Sequence, residues 1–297
     1  MMHRPQSGVA FILVLWVIAL ISIVLGSFAV IARTENLQAR HLFDSVAARY
    51  AAEAGIHRAV YELRNPDPLT RWVADGRPYE FLFDGIKISV KLTDDSGKVD
   101  MNVADVVLLK ALFVSSGIEE TKADELADAI IDWRDPDDLV GAHGAESSEY
   151  KSAGLKYRPR NAPFETVSEI QQVLGMDYDI YSKIEKAITL YSGRNQPSAG
   201  YAPLEVLRAL PGMTEDIART ILEQRQALPP GSPPGGLMLP DGTPVVAEGG
   251  GLTYSVESRA TLPNGASTLL DATIRLGGNG ASGKPFVVMR WRDGEKS

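Results

Sequence analysis

The sequence predicts an α+β fold: a long N-terminal helix whose second half packs on an antiparallel sheet, with a large all-helical unit inserted between the early and late strands. Three observations predict it. An uncharged apolar run over residues 9–32 flows without a break into an amphipathic segment. Apolar and polar residues alternate within residues 79–93 and again over 253–276, far apart in the chain, with a further apolar run at 285–291. Between them, residues 103–228 lose that alternation and show helical spacing instead.

The apolar run, VAFILVLWVIALISIVLGSFAVIA, has no charge and no proline, and is long enough for a helix to cross a hydrocarbon layer of roughly 30 Å. A secretory signal peptide is the rival reading, and Ser27-Phe28-Ala29 has the small-bulky-small form of a cleavage site. Against it, the run is longer than a usual signal core and helical sequence continues past it. Leu42, Val46, Tyr50 and Ala54 recur at helical spacing, as do Leu37, Ala47 and Ala51, and no proline occurs between Pro5 and Pro66. One helix over residues 9–63 would extend on the order of 80 Å at ~1.5 Å per residue. Asn65-Pro66-Asp67-Pro68 ends it.

Residues 79–93 read as a hairpin about Asp84-Gly85, with Ile86, Ile88, Val90 and Leu92 on one face. Three later strands are expected over residues 253–262, 270–276 and 285–291. In the inserted unit, helical spacing covers residues 106–115, 119–133, 166–174, 178–190 and 204–226. The division is thus 1–8 leader, 9–64 helix (9–32 membrane-crossing), 65–102 first part of the sheet, 103–228 helical unit, 229–251 Pro/Gly-rich linker and 252–297 second part of the sheet. Residues 277–283 form a further Gly-rich loop.

Composition narrows function. The chain of 297 residues has no cysteine, which excludes thiol catalysis, thiolate metal sites and disulfides. Four scattered histidines do not suggest a histidine metal site. A formal net charge of −8 argues against broad attraction to nucleic acid or anionic lipid. P-loop, GxSxG and HExxH patterns are missing, so no enzyme is expected.

A short polar leader ending at Gly8, followed by an apolar run that becomes a long helix, resembles the amino terminus of type IV pilins and pseudopilins. That resemblance implies cleavage by a prepilin peptidase between Gly8 and Val9, methylation of the new terminus, and a single-pass protein of the bacterial inner membrane with its C-terminal domains in the periplasm. Most members carry glutamate at the fifth mature position, where this chain has Leu13. The start GVAFILVLWVIAL resembles the K-type minor pseudopilins of type II secretion, in which that acid is habitually absent. If the acid pairs with the terminal amine of a neighbouring subunit, a subunit with nobody above it does better without a buried, unpaired carboxylate. The same subgroup is implied by a pilin-like sheet carrying a large helical insertion.

The densest polar feature is Asp132-Trp133-Arg134-Asp135-Pro136-Asp137-Asp138, followed by Gly144-Ala145-Glu146 and Glu149-Tyr150. Hard oxygen ligands crowded into a loop suit Ca2+, although the spacing is not that of an EF-hand. A solvated acidic loop whose aspartates cap helices is the alternative. WRDPDDLVGAHGAESSEY resembles the calcium-binding signature of the K-type helical domain. This points to Asp135, Asp137 and Glu146, together with Asp132 and Asp138, and to a structural role for the ion.

Leu210-Pro211-Gly212-Met213-Thr214, flanked by helical sequence, resembles a helix-hairpin-helix, and Leu174-Gly175-Met176-Asp177 forms a similar turn. Glu215 and Asp216 stand where a phosphate would approach, so the hairpin reads as structural, without nucleic acid. Residues 195–203 depart from the Asn-rich run that precedes the hairpin in relatives. The resemblance implies a non-enzymatic subunit that joins I- and J-type minor pseudopilins in a tip complex and initiates and caps the secretion pseudopilus. Two alternatives remain: a minor pilin of a DNA-uptake or adhesion pilus, and an anchored periplasmic calcium module.

Overall fold

The computed structural model describes residues 7–230, 237–245, 250–277 and 283–294. Of the expected leader, residues 1–6 lie outside them, as do 231–236 and 246–249 of the linker and 278–282 of the Gly-rich loop.

Helix α1, Ser7–Leu63, is a single helix of 57 residues. Its apolar portion is long enough to cross a membrane and buries none of its surface on the rest of the chain. The hydroxyls of Ser22, Ser27 and Thr34 donate to the carbonyls of Ile18, Ile23 and Val30, so these polar groups cost little in an apolar setting. Around Ser27-Phe28-Ala29 the helix is unbroken.

The second half of α1 lies on a five-stranded antiparallel sheet of order β1-β2-β5-β6-β7. The strands are β1 (Asp75–Phe83), β2 (Ile86–Asp94), β5 (Thr253–Thr261), β6 (Ser267–Leu276) and β7 (Phe286–Asp293). Asp84 and Gly85 both take positive φ, 49° and 76°, which is how a two-residue loop matches the twist of its strands. Ile88, Val90 and Leu92 pack with Val256, Ala260, Leu270, Ala272 and Ile274 beneath Ala51, Ala52, Ile56, Ala59 and Val60. Small residues let helix and sheet approach closely. A Cβ on Gly55 would stand 2.1 Å from Ser258 Oγ and 3.0 Å from Ile88 Cγ2.

The inserted unit has its own core, built on α2 (Val106–Ser115), α3 (Glu120–Arg134), α4 (Ser147–Ser152), α5 (Tyr178–Ile184), α6 (Leu204–Ala209) and α7 (Glu215–Ala227). Residues 106–115 form the helix expected, and α3 runs one residue later than expected. Two expectations are corrected. The stretch 166–174 is not an α-helix but a 3-10 turn over Val167–Gln172. The stretch 178–190 is not one helix. Helix α5 ends at Ile184, a 3-10 turn follows, and β4 (Ile188–Thr189) pairs in parallel with β3 (Val99–Asp100). Within the expected linker, Leu239 N donates to Thr243 O and Val245 N to Leu237 O. This closes a small loop whose Val245 is buried in the helical core.

Polar groups bolt the two cores together. Arg225 of α7, 4% exposed, donates to the carbonyls of Asp75, Ala199 and Ala202. Arg77 clasps the Asp75 carboxylate and reaches the carbonyls of Arg225 and Leu228. Thr189 and Ser255 hydroxyls donate to the two oxygens of Asp95, and Lys98 Nζ donates to Ser255. Glu185, just past α5, accepts from Arg290 and Arg292 of β7 at 2.6 and 2.5 Å.

Candidate functional site

The acidic loop begins at the last turn of α3. Arg134 is turned inward and donates to the carbonyls of Met101 and Ala104, fixing the end of the helix. Trp133 stacks on Phe164 at 6.0 Å between ring centres and donates to Glu169 Oε1 at 3.2 Å. Tyr150 and Tyr157 complete an aromatic floor, and the Tyr150 hydroxyl accepts from Leu174 N at 2.7 Å. Asn161, at φ 51°, donates from Nδ2 to Asp137 O and Asp138 Oδ1. The loop is therefore held from outside, leaving its carboxylates to face one another.

All five acids singled out in the sequence enter one electrostatic cluster. Asp132, only 2% exposed, accepts from Gly141 N at 3.2 and 3.0 Å. The chain must be glycine where it folds over this carboxylate, because a Cβ on Gly144 would lie 1.9 Å from Asp132 Oδ2. Asp135 follows α3 directly and has a buried Oδ1 without a hydrogen-bond partner. Asp137 accepts from Leu139 N at 2.9 Å and Asp138 from Asn161 at 3.0 Å, both from exposed positions. Glu146 is 4% exposed, and its carboxylate faces the backbone N–H groups that open α4 without a well-formed hydrogen bond to either oxygen.

The energetics of such an arrangement are unfavourable without a cation. Burial, reinforced by the charges of Asp132, Asp135 and Asp138, pushes Glu146 up to about 7. Burial also raises Asp132, against the N–H groups of Gly141 and Ala145, which hold it down. Asp135 rises through burial and its neighbours Asp137 and Asp132, in spite of Arg134. Asp128, which the sequence reading passed over, adds to the field at Asp132 and accepts from His143 N at 2.9 Å. It sits one helical turn before Asp132, and that spacing was the available signal. Among the described residues no three His, Asp or Glu side chains have the spacing of a finished metal shell. The donor chemistry nevertheless fits a hard cation: carboxylate oxygens only, three of them buried and unpaired in Glu146 and Asp135.

The hairpin is equally specific. Helices α6 and α7 flank a turn in which Gly212 takes φ 71° and Thr214 Oγ1 accepts from Ile217 N at 3.3 Å. Glu215 pairs with Arg208 at 3.0 Å and Arg219 at 2.7 Å, and these partners, Arg208 first, hold its carboxyl below the usual range. At the related turn, Gly175 takes φ 82° and Asp177 accepts from Ile180 N at 2.7 Å. Each helix start is already capped by the protein's own oxygen, and Glu215 and Asp216 repel phosphate. Ala199 and Ala202, in the stretch 195–203 before the hairpin, supply two of the carbonyls that hold Arg225. Gly8 and Val9 lie at the start of α1, and Leu13 is exposed five residues into the mature chain that cleavage would give.

The family described as type II secretion system (T2SS), protein K, matches residues 90–193, which include the whole acidic loop. Type II secretion system protein K of Pseudomonas aeruginosa is 27% identical over 246 residues, 73% of this chain and 72% of the relative. The protein of the same name from Klebsiella pneumoniae is 25% identical over 206 residues, 62% of each. A crystal structure of the GspK–GspI–GspJ complex from enterotoxigenic Escherichia coli includes a chain of the same fold. Its TM-score is 0.57 at 21% identity, covering 89% of this chain and 99% of that one. Over residues 90–193 the chain thus matches the type II secretion system protein K family, and it is similar along most of its length to proteins of that name.

Proposed function

We propose that this protein is the minor pseudopilin at the tip of the type II secretion pseudopilus, where it initiates the filament and caps it for protein export. The observation that carries the reading is α1. Its first half is apolar on all sides and buries nothing, while its second half is committed to a soluble α+β body. A helix of that construction serves one subunit in a membrane and then in a helical filament core. Cleavage between Gly8 and Val9 by a prepilin peptidase, followed by methylation, would leave it anchored in the inner membrane with its body in the periplasm.

Two features support the end of the filament over its shaft. Leu13 offers no carboxylate to a terminal amine above it. The helical insertion adds a second core that a further subunit would have to avoid. The partners are I- and J-type minor pseudopilins, the kinds of subunit named in the complex that contains the related fold. Immunogold labelling of assembled pseudopili should mark one end of each filament, and label spread along the shaft would refute the assignment. The acidic cluster would hold Ca2+ through Asp132, Asp135, Asp137, Asp138 and Glu146. The ion would order a loop and carry out no chemistry.

A further inference from the structure

At the C-terminal end of α1 the chain forms an apolar recess of about 440 Å3, lined by Val60, Tyr61, Pro66, Pro285 and Phe286, with His57 edge-on to Phe286 at 5.5 Å. Its wall Tyr61 is 67% exposed. The recess lies some 44 Å along the helix beyond Ala32, at ~1.5 Å per residue, so lipid does not reach it. Its rim is basic in a chain of net charge −8. Arg64 lines the recess and donates to Pro285 O, while Arg71 donates to Asn65 O and Pro66 O. Among the described residues neither guanidinium is paired with a carboxylate, whereas Arg58 of α1 is paired with Glu62.

We propose that this recess is a docking site for an apolar side chain of a partner polypeptide that carries a carboxylate beside it. The side chain enters between Tyr61 and Phe286, and the carboxylate meets Arg64 and Arg71, both of which can present a planar pair of donors. The proposal rests on the geometry of the recess and not on the filament role.

The test uses the full chain in detergent micelles and saturation-transfer NMR titrations. The probes are the capped peptide Gly-Phe-Asp-Gly, its Asn counterpart and hexanoate. The Asp peptide should bind about tenfold more tightly than the Asn peptide, the difference expected of a charge-assisted contact. Arg64→Gln should abolish that preference, Arg64→Lys should restore part of it, and Tyr61→Ala should weaken both peptides. Arg64 and Tyr61 are exposed, and unchanged melting temperatures would show that the variants fold. Equal binding of the two peptides, no binding of either, or indifference to Arg64→Gln would overturn the proposal. Tighter binding of hexanoate would assign the recess to a free acid, and self-association abolished by Arg64→Gln would assign it to a second copy. Either result would overturn the polypeptide partner as stated.

Discussion

Removing calcium and then raising the pH should weaken the helical unit, and Glu146→Gln should reverse that effect. Glu146 moves from an ordinary 4.5 to about 7 in the folded, cation-free protein. A carboxyl raised on folding favours the protonated form. Its contribution is fully present below about 4.5 and is lost as the pH rises through about 7. At ~1.4 kcal/mol per pH unit, the loss by pH 8 is on the order of 3 kcal/mol. That corresponds to roughly 6–12 °C in melting temperature for a body of this size. In chelator, then, the wild-type chain should melt lower at pH 8 than at pH 5, and Glu146→Gln should flatten the difference. With Ca2+ at a thousandfold excess over its Kd, binding restores about 4.1 kcal/mol, more than is lost, and the variant becomes the less stable protein. Calorimetry at two pH values, with and without Ca2+, reads the crossover. A variant that is less stable in chelator at pH 8, or a wild type insensitive to Ca2+, would refute the reasoning.

Gly144→Ala should lose the Ca2+-dependent rise in melting temperature while leaving α3 intact by circular dichroism, because its Cβ would displace Asp132. Gly55→Val should cost about 3 kcal/mol or more in urea unfolding by forcing α1 off the sheet at Ser258. Gly26→Ala meets nothing within 4 Å and should be neutral. Arg225→Met should cost about 3–5 kcal/mol, since it strands the carbonyls of Asp75, Ala199 and Ala202 and leaves Asp75 to Arg77 alone; limited proteolysis near residue 228 should accelerate.

The parts of the fold legible in the sequence were those with a long period. Ile86, Ile88, Val90 and Leu92 alternate through one strand, and the apolar positions of α1 repeat over many turns, so noise in one residue does not matter. Short elements escaped for the opposite reason. Ile188 and Thr189 form a strand only because Val99 and Asp100 lie beside them, and two residues have no readable period. Thr166 to Leu174 has apolar residues at spacing three, which a 3-10 turn satisfies as well as an α-helix does.

In the acidic loop, sequence identified the residues because carboxylates crowd there locally. It did not separate the buried Asp132 and Glu146 from the exposed Asp137 and Asp138, since burial depends on how Gly141 and Gly144 fold back. In α7 helical spacing sets Arg225 on the buried face with Ala218 and Ile221, unlike the exposed Arg219, but its role as a bolt was not readable because its partners lie 23, 26 and 150 residues away.

A tip pseudopilin requires α1 to be a processed pseudopilin helix. The most direct test is the N-terminal mass of the protein recovered from membranes of cells with and without prepilin peptidase. A processed pseudopilin helix gives a chain beginning at methylated Val9 in the first case and one retaining its leader in the second. An unprocessed Met1 in both, or a terminus near Ala29, would contradict it.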